Sequence, residues 1–242
     1  MVAFSGGVDS SLLLKVAKDV LKRDVIAVTA VSPLYPKEEF RGACRIAHFL
    51  KGKHIIIRSR EYADKNFIKN PRNRCYYCKL ELFKKIKKIA ARYGYNVLEA
   101  SNQSDLRDFR PGLIAVKRLG IKSPLIEAGI KKDEVRAMAK KFRLPNWNKP
   151  AMACLASRIP YGRTIDKKTL KRIESAERYL KKFKLTQVRV RDHFPSARIE
   201  VQDHDLKKVL SRRSKVVEFF KKLGYKYITL DLEGYQMGSL NR

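Results

Sequence analysis

Ser5-Gly6-Gly7-Val8-Asp9-Ser10-Ser11 places two adjacent glycines, three hydroxyls and one carboxylate within seven positions. Bare backbone at paired glycines admits a polyanion, and successive N–H groups form an anion-binding concavity. Leu12 to Ala17 follows with helical apolar spacing, so a helix N-terminus points its partial positive charge at the same anion. The pattern is not G-x-x-x-x-G-K-[ST], so it is not a Walker loop. A second chemistry lies in Cys75-Tyr76-Tyr77-Cys78-Lys79, after the basic stretch Asn70-Pro71-Arg72-Asn73-Arg74. Such a pair at a helix start is a redox dithiol, or two ligands of zinc or of an iron–sulfur cluster. Cys154 is the obvious third ligand, and three thiolates on a [4Fe–4S] cluster leave one iron open. Cys44, in a predicted helix, reads instead as a buried thiol.

The elements that must hold these groups divide the chain in two. Up to residue 150, short apolar runs alternate with helical patterns: strands at 25–31, 54–57 and 96–100, helices at 38–50, 76–93 and 132–142. This alternation predicts an α/β fold, a doubly wound and mostly parallel sheet with its ligand site at the C-terminal strand ends. Only Val2, Ala3 and Phe4 precede the glycine loop, so the first strand is very short or cut short. Pro145 to Pro150 reads as a linker, giving domains 1–150 and 151–242. The second is a small α+β unit: helix 168–183, strands 187–191 and 197–201, helix 206–223 and strand 226–230.

Fifty-five Lys and Arg against 24 Asp and Glu give a net charge of +31, which favours an anionic partner. Much of that excess falls on apparent solvent faces of helices, Lys84-Lys85 and Lys131-Lys132 among them, so nucleic acid is not the first expectation. There is no run of 18 apolar residues and no leader pattern, so a cytoplasmic chain with no membrane partner is expected. Arg189 and Arg191, two apart on a predicted strand, face one side, with Arg198 on the next strand. Guanidinium forks in that arrangement suit a mononucleotide phosphate, and the alternative is a solvent-facing strand pair.

Ser-Gly-Gly-x-Asp-Ser resembles the PP-loop of ATP pyrophosphatases, which form an adenylate and release pyrophosphate. Taken together, Ser5–Ser11, Asn70–Lys79, Asp105–Gly112, Ala153–Gly162, Val188–Arg191 with Ala197–Glu200, and Thr229–Asp231 resemble the LarE family. Its members are ATP-dependent sulfur transferases in the synthesis of the nickel-pincer nucleotide cofactor of lactate racemase. The resemblance implies that ATP adenylates a carboxylate of a nicotinate-derived mononucleotide and that sulfur then displaces AMP. It places ATP at Ser5, Gly6, Gly7, Asp9, Ser10 and Ser11, with Asp9 a candidate Mg²⁺ contact. It places the substrate phosphate at Arg189, Arg191 and Arg198, and the reactive end of the second domain at Cys154 and Arg158. Some members use the cysteine matching Cys154 as a sacrificial donor, which ends as dehydroalanine. Others carry cysteines matching Cys75 and Cys78 and resemble [4Fe–4S] enzymes that pass on bound sulfide; all three cysteines here favour that variant. The family also implies a homo-oligomer, with a hexamer as the expected form. A tRNA thiolase, which joins a PP-loop to a three-cysteine cluster, is the rival, and +31 would suit its substrate. Glu200 and Asp231 are weaker candidates for metal or structural contacts.

Overall fold

The computed structural model describes residues 1–107 and 109–236. Asp108, the first residue of the Asp-x-Arg-Pro-Gly block, lies outside them. The chain divides into two compact units, one of Met1–Phe67 with Pro71–Met152, the other of Ile68–Asn70 with Ala153 onward.

In the first unit, β1 (Val2–Ala3), β2 (Ile26–Val31) and β3 (Lys53–Arg58) form a parallel sheet in the order β1-β2-β3. Where a strand was expected at 96–100, only Leu98 bridges Val2 and Lys122. Its neighbours still carry the ladder: Ala3 donates to the Leu98 carbonyl at 2.8 Å and Lys122 to the Val97 carbonyl at 3.1 Å. The helices are α1 (Val8–Leu21), α2 (Lys37–Phe49), α3 (Lys65–Ile68), α4 (Arg74–Ala91), α5 (Gly112–Arg118), α6 (Pro124–Glu127) and α7 (Lys132–Lys141). Successive strand residues point to opposite faces. Thus Val25 and Ala27 join Leu12, Leu13, Ala43, Ile46 and Val135 in one core. Ile26 and Val28 join Phe83, Ile86 and Val116 in another. Helices therefore cover both faces of the sheet, and this is a layered α/β unit.

The second unit holds α8 (Lys167–Lys181), β4 (Val188–His193), β5 (Ser196–Val201), α9 (Leu206–Leu210), α10 (Arg213–Lys222) and β6 (Tyr227–Leu230). β4 and β5 pair antiparallel, with Arg189 opposite Glu200 and Arg191 opposite Arg198. β5 and β6 run parallel, so the chain crosses over between them through α9 and α10. The single helix expected over 206–223 is interrupted at Ser211 and Arg212. Both side chains donate to the Lys208 carbonyl, at 3.2 and 3.0 Å, in competition with the helical ladder.

Residues 145–150 pack onto the first unit, just ahead of the division at Met152. Asn146 is buried, and its Nδ2 donates to the Gly6 carbonyl at 3.0 Å and to Ser11 Oγ at 2.9 Å. Lys149 pairs with Glu39 of α2 at 2.7 Å. Helix α7 ends at Lys141, and of the polar side chains that follow Asn146 is spent on the glycine loop and Lys149 on α2.

Candidate functional site

Two groups of candidate residues stand out, one in each unit. In the first, the turn from β1 into α1 bends at Gly6, whose φ is +70°. A Cβ at that position would lie 2.6 Å from the Ala43 Cα, so glycine is required both by backbone conformation and by space. Gly6→Ala is expected to cost about 1–3 kcal/mol by overpacking alone, read as a lowered midpoint of chemical unfolding. The hydroxyls shape the rest of the loop. Ser5 Oγ accepts from the Gly7 N–H at 3.3 Å, and Ser10 Oγ accepts from the Ser5 N–H at 3.3 Å while donating to the Gly7 carbonyl at 3.1 Å. Gly7 stands at the N-cap of α1 and makes no side-chain cap hydrogen bond. This is a preformed cradle with a helix dipole behind it.

Asp9, in the first turn of α1, is held at both oxygens. Asn102 Nδ2 donates to Oδ1 at 2.9 Å, and Lys132 Nζ to Oδ2 at 2.5 Å. Beside them, Asp105 accepts from the Asn102 N–H and pairs with Arg110 at 2.7 Å. Burial pushes the Asp105 carboxyl above its ordinary value, against the opposing pull of that N–H and of Arg110. Lys132 and Asn102 were not among the expected site residues. A signal was present for the lysine, because a Lys131-Lys132 pair in the first turn of a helix opposes the macrodipole and so asks for a nearby anion.

Cys75 and Cys78 lie in the first turns of α4, three apart and so on one helix face. Cys75 is exposed and Cys78 half-buried. Gly112, at the start of α5, packs against that turn: a Cβ there would meet Lys79 Cγ at 3.0 Å and the Cys75 carbonyl oxygen at 3.5 Å. Close approach to the cysteine turn thus accounts for the glycine of the Arg-Pro-Gly block. Cys44 is half-buried on α2 rather than buried, because its neighbours Ala43 and Ile46 take the core-facing positions.

In the second unit, Cys154 is half-buried and precedes a short turn at Leu155–Arg158. Arg158 is wholly buried, with its Nε and Nη2 on the two oxygens of Glu177, at 2.8 and 3.1 Å. Its Nη1 donates to the carbonyls of Ala153 at 2.7 Å and Cys154 at 2.9 Å. Ser157 Oγ adds a second side-chain donor on the Cys154 carbonyl at 2.8 Å. Arg158 therefore acts on Cys154 through its backbone.

Arg189 and Arg191 are 3% and 5% exposed, which removes the solvent-facing alternative. Arg191 donates to Glu200 at 2.8 Å and to the Ser157 carbonyl at 2.7 Å. Arg189 lies 5.2 Å from the Tyr235 ring centroid. Burial lowers the Arg189 pKa, and the positive charges of Arg158 and Arg191 push it the same way against Glu177. Arg198, partly exposed, shares Glu200 with Arg191 and reaches Asp231 at 3.4 Å. Glu200 and Asp231 are thus partners of arginines in this fold. Around Glu177 and Glu200 stand three buried or nearly buried guanidiniums, with Arg198 at the rim, an excess of positive charge that suits a phosphate.

The donor sets can be judged against the groups expected on them. Three thiols are the right chemistry for an iron–sulfur cluster, two on one face of α4 and the third in the other unit. Among the described residues, no three His, Cys, Asp or Glu side chains form a group able to hold a metal ion. No described helix is long and apolar enough to cross a membrane.

No family model matches the chain. It is 44% identical over 245 aligned positions to an uncharacterized protein of Synechocystis sp., covering 100% of this chain and 91% of that one. It is 29% identical to an uncharacterized protein of Methanocaldococcus jannaschii, over 98% of this chain and 90% of the other. Its similarity to the pyridinium-3,5-bisthiocarboxylic acid mononucleotide synthase of Lactiplantibacillus plantarum is 40% identity, over 99% of this chain and 88% of that enzyme. A match at that level from end to end, through both the glycine loop and the Cys154 turn, means that the chain belongs to the LarE family.

Proposed function

We propose that this protein is an ATP-dependent sulfur transferase that converts a carboxylate of a pyridinium mononucleotide into a thiocarboxylate. The observation that carries the reading is the 40% identity, over nearly the whole chain, to a synthase named for such a product. The glycine loop binds the triphosphate of ATP, with the N-terminus of α1 and the N–H groups after Gly6 holding the leaving pyrophosphate. Asp9 is the residue for Mg²⁺, which commonly takes one carboxylate together with substrate phosphates. The substrate carboxylate attacks the α-phosphorus, the bond to the β-phosphate oxygen breaks, and acyl-adenylate and pyrophosphate result. A sulfur nucleophile then adds at the activated carbon and AMP leaves with the bonding electrons.

Arg189, Arg191 and Arg198 orient the mononucleotide by its phosphate. Cys75, Cys78 and Cys154 are the residues that would hold a [4Fe–4S] cluster, whose open iron supplies hydrosulfide when it is bound. Arg158 fixes the backbone from which Cys154 projects. A soluble cytoplasmic homo-oligomer acting on a small nucleotide, rather than on tRNA, completes the reading.

The test is an anaerobic incubation with ATP, Mg²⁺, sulfide and a nicotinate-derived mononucleotide, with bulk tRNA as a parallel acceptor. AMP, pyrophosphate and a mononucleotide heavier by the replacement of oxygen with sulfur are expected. Asp9→Asn is expected to cut pyrophosphate release by at least about tenfold, the scale of one lost charge-assisted contact of roughly 1.4 kcal/mol. ADP and phosphate as products would overturn the adenylation, and sulfur incorporated into tRNA alone would favour the thiolase.

A further inference from the structure

The ion pair between Lys132 and Asp9 joins two residues 123 positions apart at the mouth of the glycine loop. Neither side chain is sealed in the core, with 29% and 23% of their surfaces exposed. The backbone of Lys132 is fixed independently of its side chain. Its N–H donates to Ser104 Oγ at 3.1 Å, and the preceding Lys131 N–H donates to the Glu134 carboxylate at 2.8 Å. Farther along α7, Val135 and Ala139 are fully buried in the core that also holds Leu12 and Leu13 of α1. The four-carbon stem of Lys132 is thus a flexible arm on a rigid mount. Each Asp9 oxygen already carries a donor, Asn102 on Oδ1 and Lys132 on Oδ2.

We propose that Lys132 is an exchangeable cation, closing the Asp9 carboxylate while the loop is empty and moving to the phosphate chain when ATP binds. This rests on the reading of the loop as an ATP site. Mg²⁺ demands near-ideal octahedral oxygen geometry at about 2.1 Å, so an ammonium group on the same carboxylate obstructs it. Two cations on one carboxylate also repel each other, which favours one occupant at a time. A triphosphate reverses the balance, because it offers Lys132 several negative charges and brings its own metal to the vacated oxygen. The loop should therefore take metal and nucleotide together, and the bare metal poorly. It also gives a job to a first-turn lysine that is otherwise adverse to its helix.

The experiment uses Mn²⁺ followed by electron paramagnetic resonance, with and without α,β-methylene ATP, on the full chain and on Lys132→Met and Lys132→Gln. Both variants should unfold within a few degrees of the parent, since the pair is partly exposed. Parent protein should bind Mn²⁺ weakly alone and well with the analogue. Without nucleotide, both variants should bind Mn²⁺ about tenfold more tightly than the parent, while their affinity for the analogue falls about tenfold. Unchanged Mn²⁺ affinity in the variants would overturn the closed carboxylate, and unchanged analogue affinity would overturn the transfer to phosphate. A parent that binds no analogue at all would instead defeat the ATP reading, which the nucleotide-free Mn²⁺ comparison does not require.

Discussion

Replacing Arg158 with alanine is expected to cost the second unit about 3–5 kcal/mol, the range for breaking one half of a buried ion pair. The guanidinium and the Glu177 carboxylate are 0% and 3% exposed and meet in a two-bond fork. Without Arg158, Glu177 would keep the Val190 N–H at 3.1 Å but lose the two-bond fork that offsets its buried charge. The carbonyls of Ala153 and Cys154 would lose a charged donor at the same stroke. Urea unfolding of the variant reads the loss directly. Arg158→Lys should restore little, because an ammonium cannot span both carboxylate oxygens and still reach two carbonyls.

The paired substitution Arg158→Leu with Glu177→Leu separates stability from function. Removing both charges together is often nearly neutral, so much of the lost stability should return. The Cys154 backbone would nevertheless stay without its guanidinium anchor, and sulfur transfer should remain depressed while pyrophosphate release persists. A double variant that folds well and transfers sulfur at the parent rate would reduce Arg158 to a stability residue.

That arginine shows where the sequence was legible and where it was not. The helices around Leu12–Leu14, Phe83–Ile86 and Val135–Ala139 follow from apolar spacing, because each must bury one face against a sheet. The glycine loop follows as well, since Gly6 answers a purely local demand for positive φ and a missing side chain. Burial of charge is different. Arg189 and Arg191 alternate with Val188 and Val190, the pattern of a half-solvated strand, and nothing local tells that their face is covered. The carboxylates and carbonyls that receive Arg158 and Arg191 lie as far as 34 positions away. Asn146 is concealed for the same reason: its partners are 140 and 135 positions distant, and its Pro-rich surroundings read as solvent-facing loop.

The cysteines are expected to give the largest losses of function, and they decide where the sulfur comes from. Cys154→Ala should reduce thiocarboxylate formation to background under either account, because Cys154 is a cluster ligand in one and the donor itself in the other. Cys75→Ala and Cys78→Ala distinguish the two. If the three thiols hold a cluster, anaerobic reconstitution should load about four iron per protein, and each of these variants should lose both the iron and the capacity for repeated turnover. A sacrificial Cys154 would instead leave the Cys75 and Cys78 variants able to form about one equivalent of product. The same reaction would leave Cys154 lighter by the elements of hydrogen sulfide, which intact-protein mass spectrometry detects. Cys44→Ala should match the parent throughout, since that thiol sits on α2 with no part in either scheme. Sulfide dependence adds an independent arm: a cluster enzyme should form product in proportion to added sulfide, whereas a sacrificial protein should stop at one equivalent regardless. Full iron loading with Cys154 absent would show that the third ligand is another residue, and would leave Cys154 as the donor.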